Sequence, residues 1–456
     1  MLEERDSGGA AMFLLYNGLL LLPRLAAAPL GAWLTRCEGG AATEWAQRLG
    51  YHAEALSPSG VWIQAASVGE VRVASNLVHA LLARCPGLPL ILTTTTRTGQ
   101  ALARSAFASL AVRCGYFPLD FPPSVRRALA AARPRLLVLV ETEIWPNLLR
   151  ECGRRGVRTA VVNGRLSARS MRRYRLVAPL MRRALGYLDL ACVQTAEDGE
   201  RFAELGLPPS RLRVMGSMKY DLPSPPDAKD AAAFRSSLGL QDDEFLIVAG
   251  STAAGEDRIV LDAFEAVRHR HARARLLLAP RHPERFATAA TEAARRGLAV
   301  ERRTRRRSAR EPAAFSEVLI LDTLGELPVA YAAAQAAFVG GSLVPAGGQN
   351  VLEPAACGLA PIFGPHVENF REPASRLLSA GAAVRVEGAG GLASALFSVI
   401  EDPQLARAAG ERARRAVAEG AGATQRSLRA IEEILGGGPD GAERITAGEP
   451  VGARCS

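Results

Sequence analysis

The chain has 456 residues, 48% of them hydrophobic and 22% charged, with a formal net charge of +10 at pH 7. That length supports two or three domains with full cores, and the composition is that of an ordinary globular protein rather than a disordered one. Seven scattered cysteines with no C-x-x-C exclude a disulfide frame and a zinc site, and point to reduced thiols.

The positive charge favours anionic partners such as a membrane surface or a phosphorylated substrate. Nucleic acid is disfavoured, because there is no zinc-finger spacing, RNA-binding aromatic signature or basic heptad arm. Lys219 and Lys229 are the only lysines, so the abundance of arginine reads as a compositional bias.

In chain order, the first feature is "AAMFLLYNGLLLLPRLAAAPLGAWL", broken by Asn17, Pro23, Arg24 and Pro29. Its uninterrupted apolar run is shorter than the roughly 20 residues that span a bilayer. It predicts a membrane-associating segment over 11–35, spanning or lying in the interface, with Met12 as an alternative start. Residues 36–221 then alternate strands and helices. "VWIQA", "LPLILTT", "LAVRCGY", "RLLVLVE", "RTAVVN", "LDLACVQ" and "LRVMG" are apolar without strict alternation, as in parallel strands covered on both faces.

The proline-rich stretch over 222–232 predicts a linker. A second α/β series fills 233–435, with strands in "DEFLIVAG", "RARLLLAP", "LAVERR", "EVLILD", "AAFVGG", "LAPIFG" and "AAVRVE". Residues 436–456 are glycine-rich and polar and predict a disordered tail. The expectation is therefore an α/β protein of two doubly wound, Rossmann-like domains facing a cleft.

Strand ends carry the polar motifs, and in open parallel sheets ligands sit outside the carboxyl ends of strands. In the first domain "AASVGE" puts Glu70 on the turn into a helix that continues through Val73, Leu77 and Leu81. Ser67 supplies a cap, and Glu70 is either a first-turn acid on the helix dipole or a general base. "ETEIWPN" adds Glu141 and Glu143, acids that need partners beside a buried strand. Glu70 and Glu143 are the candidate catalytic carboxylates. "TTTTRTG" and "NGRLSARS" bring hydroxyls, an amide and arginines suited to a polyhydroxylated, anionic acceptor.

In the second domain Ser251, Arg281, Asp322 and the loop "VGGSLVPAGGQNVLEPAA" follow strands. The glycines allow close backbone approach, and a helix starting near Gln349 would offer amides to an anion. Arg281 adds a fixed charge for phosphate, and Glu353 can accept from ribose hydroxyls. No P-loop is present, and no G-x-G-x-x-G follows the first strand.

Together "AASVGE", "TTTTRTG", "ETEIWPN", "NGRLSARS", "GSMKYD", "PRHPER", "VGGSLVPAGGQNVLEPAA" and "FGPHVENF" resemble the Kdo (3-deoxy-D-manno-octulosonic acid) transferases, from about Met12 to about Leu435. The resemblance implies a GT-B glycosyltransferase fold with an N-terminal membrane-associating helix at the cytoplasmic face of the inner membrane. It implies an inverting, metal-independent transfer of Kdo from CMP-Kdo to the lipid A precursor (lipid IVA) in lipopolysaccharide biosynthesis. No cofactor is implied beyond that donor substrate, and the further partner is an anionic membrane surface.

By the same resemblance Glu70 matches the catalytic base. Pro280, Arg281, Leu324, Gly325, Glu326, Asn350, Val351, Leu352 and Glu353 match the CMP contacts, and Ser342 is added to the phosphate site. The chain departs from the family pattern at Gln349 and Val351, where His and Pro are frequent, and at Gln64, where His is common. Two other readings stay open: a GT-B enzyme or epimerase using a UDP-sugar, and a non-catalytic, basic membrane-surface protein.

Overall fold

The structure is a computed structural model and describes residues 12–18, 20, 40–51, 60–307 and 315–436. The chain forms two compact units, one from Met1–Asp221 with Gly422–Ser456, the other from Leu222–Ala421.

Unit 1 is built on seven strands: β1 (Val61–Gln64), β2 (Leu90–Thr94), β3 (Val112–Tyr116), β4 (Leu136–Val140), β5 (Arg158–Gly164), β6 (Leu190–Val193) and β7 (Leu212–Val214). All pair in parallel, in the order β3-β2-β1-β4-β5-β6-β7. Successive side chains of β1 enter opposite cores. Val61 and Ile63 pack with Leu77 and Leu81, whereas Trp62 packs with Leu137, Leu139 and Leu148. Helices therefore cover both faces, which is why these strands read as continuous apolar runs. The strand order reverses between β1 and β4, so the loops that follow these two strands flank the switch point where doubly wound sheets open a crevice.

Unit 2 repeats the scheme with β8 (Phe245–Thr252), β9 (Ala274–Pro280), β10 (Val300–Arg302), β11 (Val318–Ile320), β12 (Ala336–Val339), β13 (Ile362–Phe363) and β14 (Val384–Arg385). The parallel order is β10-β11-β9-β8-β12-β13-β14, and the reversal falls between β8 and β12. Every expected strand is present.

Two expected boundaries shift. The helix Ala228–Ser237 begins inside the predicted linker, because Asp227 and Asp230 form a reciprocal capping box there. The final helix, Ala423–Gly436, belongs to unit 1 rather than to the second domain. It buries Leu428, Ile431 and Leu435 in the core that holds Leu77 and Leu81. Asp221 ties this return in place, its carboxylate accepting the Thr424 N–H at 2.6 Å.

Residues 12–18 are helical and dock on unit 1. Phe13 is buried with the Arg150 guanidinium 4.5 Å over its ring. The Tyr16 hydroxyl donates to Asp120 Oδ2 at 3.0 Å, and Asn147 Nδ2 donates to Asn17 Oδ1 at 2.7 Å. Leu14 and Leu15 point outward, 71% and 61% exposed. No helix among the described residues is long and apolar enough to cross a membrane. Residues 11, 19 and 21–35 of the expected segment, and the tail beyond Gly436, lie outside the described residues.

Candidate active site

The turn after β1 starts the helix Val68–Arg84, and Ser67 caps it, its side chain accepting the Glu70 N–H. The Glu70 carboxylate turns back and accepts the N–H of Ala66. Burial, and then the charges of Glu143 and Glu141, push the Glu70 carboxyl up to about 8, while the N–H groups of Ala66 and Ser67 pull partly the other way. A first-turn acid serving only the helix dipole would be stabilised in its charged form. At Glu70 burial and like charge outweigh that effect and disfavour the anion.

Its neighbours are held from both sides of the switch point. Glu143 Oε2, on the loop after β4, accepts from Gln64 Nε2 at 3.1 Å and from the Trp145 indole at 3.0 Å. Burial raises its pKa too, and these two donors lower it. Gln64 is anchored in turn by Thr93, whose hydroxyl donates to Gln64 Oε1 at 2.7 Å and accepts from Trp62 at 2.7 Å. The amide at position 64 thus fixes a carboxylate of the site. Glu141 accepts from Asn163 Nδ2 at 3.3 Å and pairs with Lys219 Nζ at 3.4 Å. Glu141 and Asn163 both take left-handed backbone angles, φ 60° and 53°. Two such non-glycine residues in contact at a strand edge are held there by the surrounding packing.

Sequence reasoning missed Lys219. The available signal was its rarity: one of two lysines in an arginine-biased chain, lying within a quoted motif. Other expected polar residues are spent on the fold. Thr96 and Ser167 cap helices, and the buried Thr94 hydroxyl donates to Gln100.

In unit 2 the glycine loop differs from the expected phosphate cradle. The helix there begins at Leu352 rather than near Gln349, and runs only to Ala356. Its first amide is already bonded to Asn350 Oδ1 at 3.1 Å. The amides of Gly341, Ser342 and Leu343 converge at 2.5, 2.8 and 2.7 Å on the carboxylate of Glu256, which also accepts from Ala253 at 2.7 Å. Glu256 is completely buried at the switch point and was not singled out from the sequence. A fixed internal carboxylate occupies the anion-binding nest between β12 and the following loop.

Ser342 is likewise internal. Its hydroxyl donates to the Val339 carbonyl at 2.5 Å and accepts from Gly364 at 2.9 Å, so the expected phosphate contact is replaced by a structural one. Val351 and Leu352 have fully buried side chains, which leaves only their backbone for a ligand. The Glu326 carboxylate is bonded to Arg303 at 2.9 Å. What remains at this edge is a set of three groups. Arg281 follows Pro280 at the end of β9 and is half-buried, its N–H bonded to Thr252. Leu324, 89% exposed, and Gly325, at φ 85°, form an open loop. Asn350 Nδ2 donates to Glu353 Oε1 at 3.0 Å, placing an amide and a carboxylate side by side. Among the described residues, no group of three or more His, Cys, Asp or Glu could hold a metal ion.

Comparison with known proteins fits this picture. The family model described as "3-Deoxy-D-manno-octulosonic-acid transferase (kdotransferase)" matches residues 43–222. The chain is 40% identical to a 3-deoxy-D-manno-octulosonic acid transferase of Bordetella pertussis, over 85% of this chain and 90% of that one. It is 34% identical to a protein of the same description from Haemophilus influenzae, over 86% and 91%. A glycosyltransferase from Rickettsia africae superposes with a TM-score of 0.55 at 12% identity, covering 84% of this chain and 100% of that one. The Anabaena protein HepE, in complex with UDP-glucose, superposes at 0.51 with 14% identity, over 82% and 99%. These last two share the fold alone: two parallel Rossmann-like sheets of the GT-B glycosyltransferase type.

Proposed function

The chain belongs to the 3-deoxy-D-manno-octulosonic acid (Kdo) transferase family, and on that premise we propose that it moves Kdo from CMP-Kdo onto a lipid A precursor with Glu70 as the general base. The observation that carries the role of Glu70 is its place on the turn after β1, at the switch point of the sheet, where burial and neighbouring carboxylates raise its pKa. As the acceptor hydroxyl attacks the anomeric carbon of the donor sugar, its proton passes to the Glu70 carboxylate. Proton uptake removes one of three neighbouring negative charges, so repulsion from Glu143 and Glu141 favours the transfer. A base positioned in this way contributes typically about 10²–10⁴-fold.

Attack opposite the leaving group inverts the anomeric centre. CMP departs as an anion and needs no second acid to protonate it. In this reading Arg281 carries the charge for the phosphate, the Asn350–Glu353 pair receives the ribose, and backbone groups of Leu324 and Gly325 border the nucleotide. Glu143 sets the field at the base, held by Gln64 and Trp145.

A lipid acceptor places the reaction at a membrane, and we assign it to the cytoplasmic face of the inner membrane. The outward Leu14 and Leu15 support contact with the lipid. So do the exposed Arg172 and Arg173, about one turn before Leu176 on the same helix, and the exposed Arg182 on the helix that follows; Leu176 itself is 84% exposed. The apolar patch expected there is smaller, since Leu180 and Met181 are buried and Arg175 pairs with Glu204 at 2.7 Å. Mass spectrometry of a lipid A precursor incubated with the protein and CMP-Kdo tests the assignment. A mass increase by whole Kdo residues with CMP-Kdo, and none with UDP-sugars, is expected; transfer from a UDP-sugar instead overturns it.

A further inference from the structure

Unit 2 has a cavity at the opposite edge of its sheet from the residues described above. It encloses about 530 Å³ and is lined by Phe245, Ile362 and Val384, which open β8, β13 and β14, and by Leu359, Val399 and Leu405. In a parallel sheet the amino ends of all strands lie on one edge, so this cavity faces away from Thr252, Pro280 and Gly340 at the carboxyl ends. Its size falls within the roughly 300–1,000 Å³ range of small-ligand sites.

The chemistry of the lining is specific. The walls are apolar, and Leu405, 58% exposed, carries the apolar lining out to the surface. Two arginines, Arg407 and Arg412, line the same cavity. Arg412 spends Nε and Nη2 on the Gly381 carbonyl, at 3.1 and 2.6 Å. Arg407 is exposed, and neither arginine has a carboxylate partner among the described residues. An apolar chamber with one unspent guanidinium fork at its rim matches one alkyl chain ending in a planar monoanion.

We propose that this cavity binds a single-chain alkyl carboxylate, a free fatty acid, with its chain among Phe245, Ile362 and Val399 and its head group on Arg407. The carboxylate is favoured over a phosphate head because the rim offers one full fork rather than a cluster of donors. The site is separate from the donor and acceptor chemistry and needs neither to be occupied.

The test is titration calorimetry of the full chain with hexanoate, octanoate, decanoate and dodecanoate, each below its micelle concentration, beside dodecanol and dodecyl phosphate. One site per chain is expected, with affinity rising about fourfold per added methylene. Dodecanol should bind at least about tenfold more weakly. Arg407→Glu should weaken dodecanoate about tenfold or more and leave dodecanol unchanged. Ala406→Trp, which fills the lining from a half-buried position, should abolish both while leaving the melting temperature near wild type. Absence of saturable dodecanoate binding overturns the proposal, as does binding indifferent to both substitutions. Dodecyl phosphate binding more than tenfold tighter than dodecanoate overturns the assignment of the head group.

Discussion

Gln64 on β1 donates its side-chain amide to Glu143, which rises from the loop after β4, at 3.1 Å. The two strands are adjacent across the reversal in strand order, so this bond spans the crevice-forming point of the sheet. Through it the end of one strand fixes a carboxylate whose charge acts on Glu70, the residue on the turn leaving that same strand.

The pH dependence follows. Glu70 must be ionised to accept a proton, and its pKa is pushed up to about 8, so only about one tenth is ionised at pH 7. Turnover should therefore rise with pH up to about 8. In Glu143→Gln the second cause of the shift is removed while burial, the first, remains. The acid limb of kcat/KM should move to lower pH and stay above the ordinary 4.5. An acid limb that does not move would show that Glu143 does not act on the base.

Nucleotide binding is assigned to Arg281 and Glu353. Loss of a charge-assisted bond costs roughly 1.5–3 kcal/mol, or about ten- to a hundredfold in affinity. Arg281→Ala and Glu353→Ala should each weaken CMP by that factor in titration calorimetry. Unchanged CMP affinity in both would remove this edge of unit 2 from the reaction.

Glu256 is expected to matter for folding before chemistry. Glu256→Ala leaves the buried amides of Gly341 and Ser342 without their acceptor, at about 1–3 kcal/mol for each unsatisfied group. A large fall in melting temperature should accompany loss of CMP binding, read by calorimetry on the same preparation. A variant that melts like wild type and keeps its CMP affinity would contradict the role given to this carboxylate.

The exposed arginines are read as a lipid-facing rim. Basic residues near an anionic leaflet contribute about 1 kcal/mol each. Replacing Arg172, Arg173 and Arg182 with Gln in the full chain should weaken flotation with phosphatidylglycerol vesicles and flatten its salt dependence. Flotation that is unchanged at low salt would exclude these three residues from the membrane contact.

What the sequence could and could not reveal divides along physical lines. Strands such as β4, with Leu136 to Val140 all buried, are legible because double-sided burial leaves an unbroken apolar run. The place of Glu70 on the turn after β1 is legible because the Ser67 cap and the local strand-to-helix pattern set it. The partner of the helix Ala423–Gly436 is not, since its apolar face would suit either unit and only the packing of Leu428 and Ile431 decides. Glu256 and Lys219 escape because their meaning lies in partners 85 and 78 residues distant, Gly341 and Glu141. The phosphate cradle expected near Gln349 fails for a related reason. Glycine-rich loops offer amides in every sequence, and an internal carboxylate that consumes them is invisible until the chain is folded.

The most direct measurement is Kdo transfer by Glu70→Gln, followed by mass spectrometry of the lipid product alongside CMP titration of the same protein. With Glu70 as the base, turnover falls by about a hundredfold or more while CMP affinity stays at the wild-type value. Retention of more than about a tenth of wild-type turnover, with normal CMP binding, would contradict the account.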